Sequence, residues 1–267
     1  MRKVLLSAAV VLACSTLPGQ PKLEKMWESD SVTLKGPESA TYDAKSESIY
    51  VSSMNSGSIV RMATDGKIIK NDWVTGLNAN KGIGIFKGFL YTAETAAVAV
   101  IDIKTATVIK RIPIKGAVML NDLAVDRKGI VYVSDTRTGK IHRVEGESQS
   151  VYIENIPGAN GLLPVNDDLY LVGSSTFQKI NSNKEITKIS DGFESGLDGI
   201  VMISKNEFIL SNYKGIIYYV NSDGSKMVLL DSRADKVMAN DISYDSRTKT
   251  MFVPSFSTNR VAGYKVK

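Results

Sequence analysis

Apolar residues along this chain fall in short runs rather than in helical stripes. Ser48-Ile49-Tyr50-Val51, Gly88-Phe89-Leu90-Tyr91, Ile130-Val131-Tyr132-Val133, Asp168-Leu169-Tyr170-Leu171, Glu207-Phe208-Ile209-Leu210 and Thr250-Met251-Phe252-Val253 are rich in branched and aromatic side chains. Such side chains suit a pleated strand better than a helix. Turn pairs such as Asp65-Gly66, Lys128-Gly129 and Asp223-Gly224 lie between the runs, where they close hairpins. Beyond the N-terminal segment, no window carries an apolar stripe of helical period.

The runs begin about forty residues apart, and each is followed by a second hairpin, as in Gly57-Ser58-Ile59-Val60-Arg61, Gly139-Lys140-Ile141-His142-Arg143 and Gly215-Ile216-Ile217-Tyr218-Tyr219. The unit is about four strands, repeated six times. One such unit cannot bury both faces of its sheet, whereas radial stacking buries each face against a neighbour. The pattern predicts an all-β fold, a six-bladed β-propeller with four-stranded antiparallel blades. A β-sandwich gives no reason for the period. A strand within residues 21–28 is expected to join the last blade as its outer strand, beside the hairpin ending in residues 261–266, leaving no blade unpaired.

A polar residue recurs at one phase of the repeat, in the loop before each run. Glu38, Asn80, Asn121, Asn160, Asp198 and Asn240 (or Asp241) are separated by 42, 41, 39, 38 and 42 residues. Loops entering the innermost strands of a propeller converge near its central channel, so these positions meet in space. Glu38, Asn121, Asn160 and Asp198 form a hard, oxygen-rich set suited to Ca²⁺, Mg²⁺, Mn²⁺ or Zn²⁺. The alternative is that each caps its own loop through Asx-type hydrogen bonds.

Composition narrows the chemistry. The 267 residues include one Cys and one His, which excludes an internal disulfide framework, a multi-cysteine zinc site and a multi-histidine metal cage. Any metal centre must rest mainly on oxygen. The net charge is +5, or +3 without residues 1–13. The lysines are scattered, with no tract fit to track a phosphate backbone, so nucleic-acid binding is not expected. No Gly-x-Ser-x-Gly elbow and no nucleotide P-loop occurs.

The N-terminus reads as an address. Arg2 and Lys3 precede the apolar run of residues 4–13, which is too short to span a bilayer and the right length for a signal h-region. Val11-Leu12-Ala13-Cys14 resembles a bacterial lipobox, which implies cleavage before Cys14 and lipid attachment to it; ordinary secretion with cleavage nearby is the other reading. The expected organisation is a signal peptide over 1–13, a tether over 14–23 and one propeller over 24–267. The expected location is the bacterial cell envelope: on the outer membrane facing the periplasm, or periplasmic or secreted. Contact with membrane is expected only through the lipid, and a monomer is favoured.

Pro37-Glu38-Ser39, Asn121-Asp122 followed by Val125-Asp126-Arg127-Lys128-Gly129, Asn160-Gly161-Leu162 and Leu197-Asp198-Gly199 resemble, in order and spacing, the SMP-30/gluconolactonase/luciferin-regenerating family of calcium-dependent six-bladed propellers. NHL-like propellers are wider relatives. The resemblance runs from about residue 24 to the C-terminus. It implies Glu38, Asn160 and Asp198 as metal ligands, calcium as the first choice of ion, and Asn121 as a pocket residue near metal-bound water or substrate. It further implies polarisation of a lactone or ester carbonyl by the metal, with Asp198 as ligand and candidate general base and Asn121 orienting water or substrate. Asn80, Asp122, Asn240 and Asp241 are candidates for the same mouth, and Asp122 and Asp241 are equally readable as structural turn residues.

One departure bears on substrate. Sugar-lactonase members tend to carry Arg two positions before the pocket Asn, whereas here that position is Met119. Met offers soft bulk but no fork of donors, so a more apolar lactone, an ester or a ligand that is not hydrolysed fits better than a polyhydroxylated sugar lactone. The sole His142 is expected on a strand surface away from the mouth, and relatives built on a His dyad have no counterpart here. Two functions remain open: a metal-dependent hydrolase of a lactone or ester, and a non-catalytic envelope propeller binding a small molecule, glycan or protein.

Overall fold

The computed structural model describes residues 20–267; the expected signal peptide, Cys14 and the first part of the expected tether lie outside the described residues. Six four-stranded antiparallel sheets follow one another around a central channel. Blade 1 holds β2 (Pro37–Asp43), β3 (Ser48–Ser53), β4 (Ser58–Ala63) and β5 (Ile68–Val74), and blade 2 holds β6 (Ile83–Phe86), β7 (Phe89–Ala93), β8 (Ala97–Asp102) and β9 (Thr107–Pro113). Blade 3 is β10 (Leu120–Val125), β11 (Val131–Asp135), β12 (Lys140–Glu145) and β13 (Ser148–Ile153); blade 4 is β14 (Ala159–Val165), β15 (Asp168–Gly173), β16 (Thr176–Ile180) and β17 (Ile186–Ser190). Blade 5 is β18 (Leu197–Ser204), β19 (Glu207–Asn212), β20 (Ile216–Val220) and β21 (Lys226–Asp231). Blade 6 takes β22 (Ser243–Asp245), β23 (Thr250–Ser255) and β24 (Arg260–Val266) from the C-terminus and β1 (Leu23–Glu28) from the N-terminus. The expected closure is present: β1 is the outer strand, and Lys22 and Lys267 exchange backbone hydrogen bonds of 3.0 Å beyond its end.

There is one apolar core at each junction between blades. Ile49 and Val51 of β3 pack with Phe252 and Val261 of blade 6, while Tyr50 between them packs with Ile83 and Leu90 of blade 2. Successive side chains of a strand point to opposite faces, so middle strands buried on both faces read as continuous apolar runs. The largest aromatic cluster lies between blades 4 and 5, where the Phe177 and Phe208 rings meet edge to face with centroids 4.9 Å apart. Outer strands are mostly exposed and charged, as in β5 with Lys70, Asn71 and Asp72, which blunts edge-to-edge pairing. The only helix among the described residues is the single 3₁₀ turn Met54–Ser56, and none is long and apolar enough to cross a membrane.

His142 corrects one expectation. It is not on the surface but 1% exposed, with neither ring nitrogen hydrogen-bonded. It sits in β12, a third strand that is also covered on both faces, so the flanking charges of Lys140 and Arg143 mislead. Burial pushes its pKa down, Asp135 partly opposing and Lys140 assisting, and the ring is neutral.

Candidate functional site

The polar residues of the repeat reach the channel through a recurring irregularity. Pairing between the two inner strands skips between Pro37 and Ala40, between Leu120 and Leu123, between Ala159 and Leu162, and between Leu197 and Ile200. The two skipped residues in each case are Glu38-Ser39, Asn121-Asp122, Asn160-Gly161 and Asp198-Gly199. A bulge re-aims side chains at the end of a strand, and here it does so in blades 1, 3, 4 and 5, at the metal-ligand candidates and the pocket Asn. Blades 2 and 6 pair without a skip in their inner strands, and Asn80 and Asn240 precede those strands.

A skipped residue leaves backbone groups in need of partners. The N–H groups of Ser39, Asp122 and Gly199 donate to the hydroxyls of Ser52, Ser134 and Ser211 at 2.8, 3.0 and 2.8 Å. All three serines are fully buried. They occupy one phase of the repeat, in Val51-Ser52-Ser53, Val133-Ser134-Asp135 and Leu210-Ser211-Asn212. Their recurrence at one phase is the sequence signal that marks them. The following residue holds the loop that enters the innermost strand of the same blade: Asp135 accepts from the N–H groups of Val118 and Met119 at 2.8 and 3.1 Å, which sets Met119 in place.

Glu38, Asn121, Asn160, Asp198, Asn240 and Met119 line one cavity of about 390 Å³ at the mouth of the channel. Asp122 and Asp241 instead line a wider cavity of about 670 Å³, walled by apolar residues of the inner strands. Asn80 is fully buried behind the mouth, its amide donating to the Ser58 carbonyl at 3.0 Å.

The hydrogen bonds within the mouth orient its oxygens. Asp198 Oδ1 accepts from Asn160 Nδ2 at 2.9 Å and its Oδ2 from Asn240 Nδ2 at 3.2 Å. Asn240 is fixed in turn by the Phe256 N–H on its Oδ1 at 3.0 Å. Asn121 Nδ2 donates to Thr136 Oγ1 at 3.0 Å, and that hydroxyl donates to the Ala159 carbonyl at 2.6 Å. With their N–H groups so committed, Asn121 Oδ1 and Asn160 Oδ1 are buried without a partner, as is Glu38 Oε2. A buried unpaired acceptor costs about 1–3 kcal/mol, so three in one cavity form a donor set that suits an electropositive partner.

The carboxyls carry the same message. Burial pushes the Asp198 pKa up to about 7, with the Asp122 charge adding to it and the two Asn amides and Lys81 opposing. Burial raises Glu38 as well, Asp198 and Asp122 contributing and Lys81 opposing. Asp122 is raised to about 6 by burial, against the N–H groups of Leu162 and Leu123. Asp241 is raised by burial and by the other three carboxylates, although Ser39 Oγ donates to it at 2.6 Å. A divalent cation would satisfy the orphan oxygens and offset the repulsion. Among the described residues no group of three or more His, Cys, Asp and Glu converges on one point; the donors that fit a cation here are two carboxylates and two amides.

Glycines permit this convergence. A Cβ on Gly199 would lie 2.5 Å from Ile242 N and 2.6 Å from Asp241 Oδ1, and one on Gly82 would lie 2.5 Å from Leu123 N. Neighbouring inner strands approach too closely there for any side chain.

No protein-family model matches the sequence, and no curated protein matches it. Solved structures do resemble it. A gluconolactonase from Xanthomonas campestris superposes with a TM-score of 0.72 at 14% identity, over 93% of this chain and 91% of that one. A luciferin-regenerating enzyme gives 0.69 at 13% identity, over 93% and 95%. A virginiamycin B lyase from Staphylococcus aureus gives 0.67 at 13% identity, over 92% and 99%. At these identities the likeness is one of fold: the chain is a six-bladed propeller resembling the gluconolactonase and luciferin-regenerating proteins.

Proposed function

We propose that the mouth is the active site of a metal-dependent hydrolase acting on a lactone or ester. The observation that carries this reading is the set of three buried, unpartnered oxygens, Glu38 Oε2, Asn121 Oδ1 and Asn160 Oδ1, beside the raised carboxyl of Asp198. Glu38, Asn160 and Asp198 are the residues that would hold the ion, with calcium the first choice. A bound divalent ion would supply a Lewis acid for the ester or lactone carbonyl. Asn121, its N–H held by Thr136, presents an oxygen that orients water or substrate. Asp198, its two oxygens held by Asn160 and Asn240, would take the proton of the incoming water.

The alternative, a propeller that binds a small molecule without turning it over, is favoured by the apolar rim of Met54, Met119, Tyr213 and Phe256 around the same cavity. The lyase chemistry of the structural relatives finds less support. One of those lyases was rendered inactive by replacing a histidine, and the single histidine of this chain is buried in β12, outside the mouth. Export to the bacterial envelope on a lipid at Cys14 belongs to the same proposal; radiolabelled palmitate should enter the wild type and not Cys14→Ala.

The deciding experiment is a panel of lactones and aryl and alkyl esters assayed with Ca²⁺, Mg²⁺, Mn²⁺ or chelator, on wild type and Asp198→Asn. Metal-dependent turnover that Asp198→Asn reduces by about 10²-fold or more is the expected result. A cation that binds without turnover of any ester or lactone would leave the binding reading.

A further inference from the structure

Lys81 is the one cation among the residues lining the mouth. Its backbone is held by two hydrogen bonds, from its own N–H to the Ala93 carbonyl at 2.9 Å and from the Gly82 N–H to the Asn121 carbonyl at 3.0 Å, and the side-chain amide of the preceding Asn80 donates to the Ser58 carbonyl. The side chain is partly exposed, and no carboxylate among the described residues lies within ion-pair distance of its ammonium. It is nevertheless near enough to Glu38 and Asp198 to lower the pKa of both. A lysine held at the rim of a cavity, facing carboxylates without pairing to them, has its donors free for a ligand.

Apart from the Ser174 and Ser195 hydroxyls and the Asn and Thr side chains already placed, the remaining wall is apolar. Tyr213 lies against Gly196, where a Cβ would come 2.7 Å from the ring, and Phe256 lies against Gly36 at the same distance. Both glycines have positive φ, +111° and +64°, so the chain turns there in a way other residues resist and seats an aromatic ring at the turn. Met54, Met119 and Leu197 complete this surface. At about 390 Å³ the cavity is at the small end of ligand pockets.

Charge decides the sign of the ligand. Glu38 and Asp198 together balance one divalent ion. Once that ion is bound, the lining retains a single net positive charge, and Lys81 is that charge.

We propose that Lys81 is the anion-recognition residue of the mouth, and that the site takes a compact aromatic or aliphatic ligand bearing a carboxylate. This rests on the mouth being the ligand site and on a divalent ion balancing its carboxylates. It goes further in naming what the ligand must carry. An apolar body packs between Tyr213, Phe256 and the methionines, and the carboxylate meets the Lys81 ammonium. Lys81 also opposes the resident cation by like charge, so cation affinity and anion recognition are linked through one side chain.

The test uses the purified protein with 2-naphthoate, its neutral counterpart 2-naphthylmethanol, and gluconate, each titrated with and without saturating Ca²⁺. Naphthoate is expected to bind about tenfold or more tightly than naphthylmethanol when Ca²⁺ is present. Lys81→Met should erase that preference, and Lys81→Arg should retain it. Lys81→Met should also tighten Ca²⁺ binding, by about tenfold for a unit charge removed near a partly buried site. Equal affinity for the two naphthyl ligands in wild type, a preference that survives in Lys81→Met, or stronger binding of gluconate than of naphthoate would each overturn the proposal. Failure of ester turnover with Ca²⁺ bound would sink the hydrolase reading alone, because naphthoate binding is read without turnover.

Discussion

Gly199→Ala tests whether the close approach of inner strands builds the mouth. The added Cβ would stand 2.5 Å from Ile242 N and 2.6 Å from Asp241 Oδ1, against the 3.0 Å below which real Cβ atoms essentially never go. Two backbones therefore have to part, since Ile242 N is main chain and Gly199 N is itself tied to Ser211 Oγ at 2.8 Å. Overpacking of this kind costs about 1–3 kcal/mol, and for a domain of this size each kcal/mol lowers Tm by about 2–4 °C. The expected fall is about 2–12 °C. Asp198 adjoins Gly199, so its carboxyl moves off the Asn160 and Asn240 amides, and displacement of such supporting contacts lowers metal affinity by about 10–100-fold. Gly84→Ala is the control. Its Cβ meets the Val125 and Leu123 side chains at 2.7 and 2.8 Å and main-chain Val125 N only at 3.3 Å, on the wider cavity, so it should alter Tm without altering cation affinity. Differential scanning fluorimetry and isothermal titration give both quantities. A Gly199→Ala protein with wild-type Tm and wild-type cation affinity would refute the reasoning.

Two further outcomes follow from the packing. Phe208→Ala removes the ring that meets Phe177 and Tyr170 between blades 4 and 5 and should cost about 3–5 kcal/mol in denaturant unfolding; a loss below 1 kcal/mol would mean that the blade junction collapses around the void. His142 is buried neutral with its pKa below the ordinary 6.5, so the unfolded chain binds its proton first. Stability tied to it is present above pH 6.5 and is lost as pH falls through the folded value. His142→Leu should flatten the stability profile below pH 6.5, and an unchanged profile would assign the acid sensitivity elsewhere.

Much of the architecture was legible because a propeller repeats. The forty-residue period, the four-strand unit and the outer placement of β1 all follow from spacing and from the need to bury both faces of each sheet. Glu38, Asn121, Asn160 and Asp198 were legible for the same reason, since one phase of a radial repeat is one place in space. What was hidden is what happens between adjacent residues. Asn121 and Asp122 read as one motif, as do Asn240 and Asp241, yet the first of each pair lines the mouth and the second the wider cavity. The alternation of side chains along extended backbone separates them, and in blade 3 the bulge fixes that Asn121, not Asp122, faces the mouth. His142 was misread because charges flank it, whereas a third strand is covered on both faces. Lys81 was overlooked because a lone lysine in a polar loop has no distinguishing pattern; only its place among the carboxylates gives it meaning.

The central claim is that the mouth is built to hold a divalent cation, and titration of Ca²⁺ into chelator-treated protein, with Tm followed alongside, tests it most directly. The account predicts one site per chain. At a hundredfold excess over Kd, binding should stabilise by about 2.7 kcal/mol and raise Tm by about 5–11 °C, with both effects lost in Glu38→Gln and Asp198→Asn. The absence of binding heat and of any Tm shift with Ca²⁺, Mg²⁺, Mn²⁺ and Zn²⁺ alike, or a shift that survives both substitutions, would contradict it.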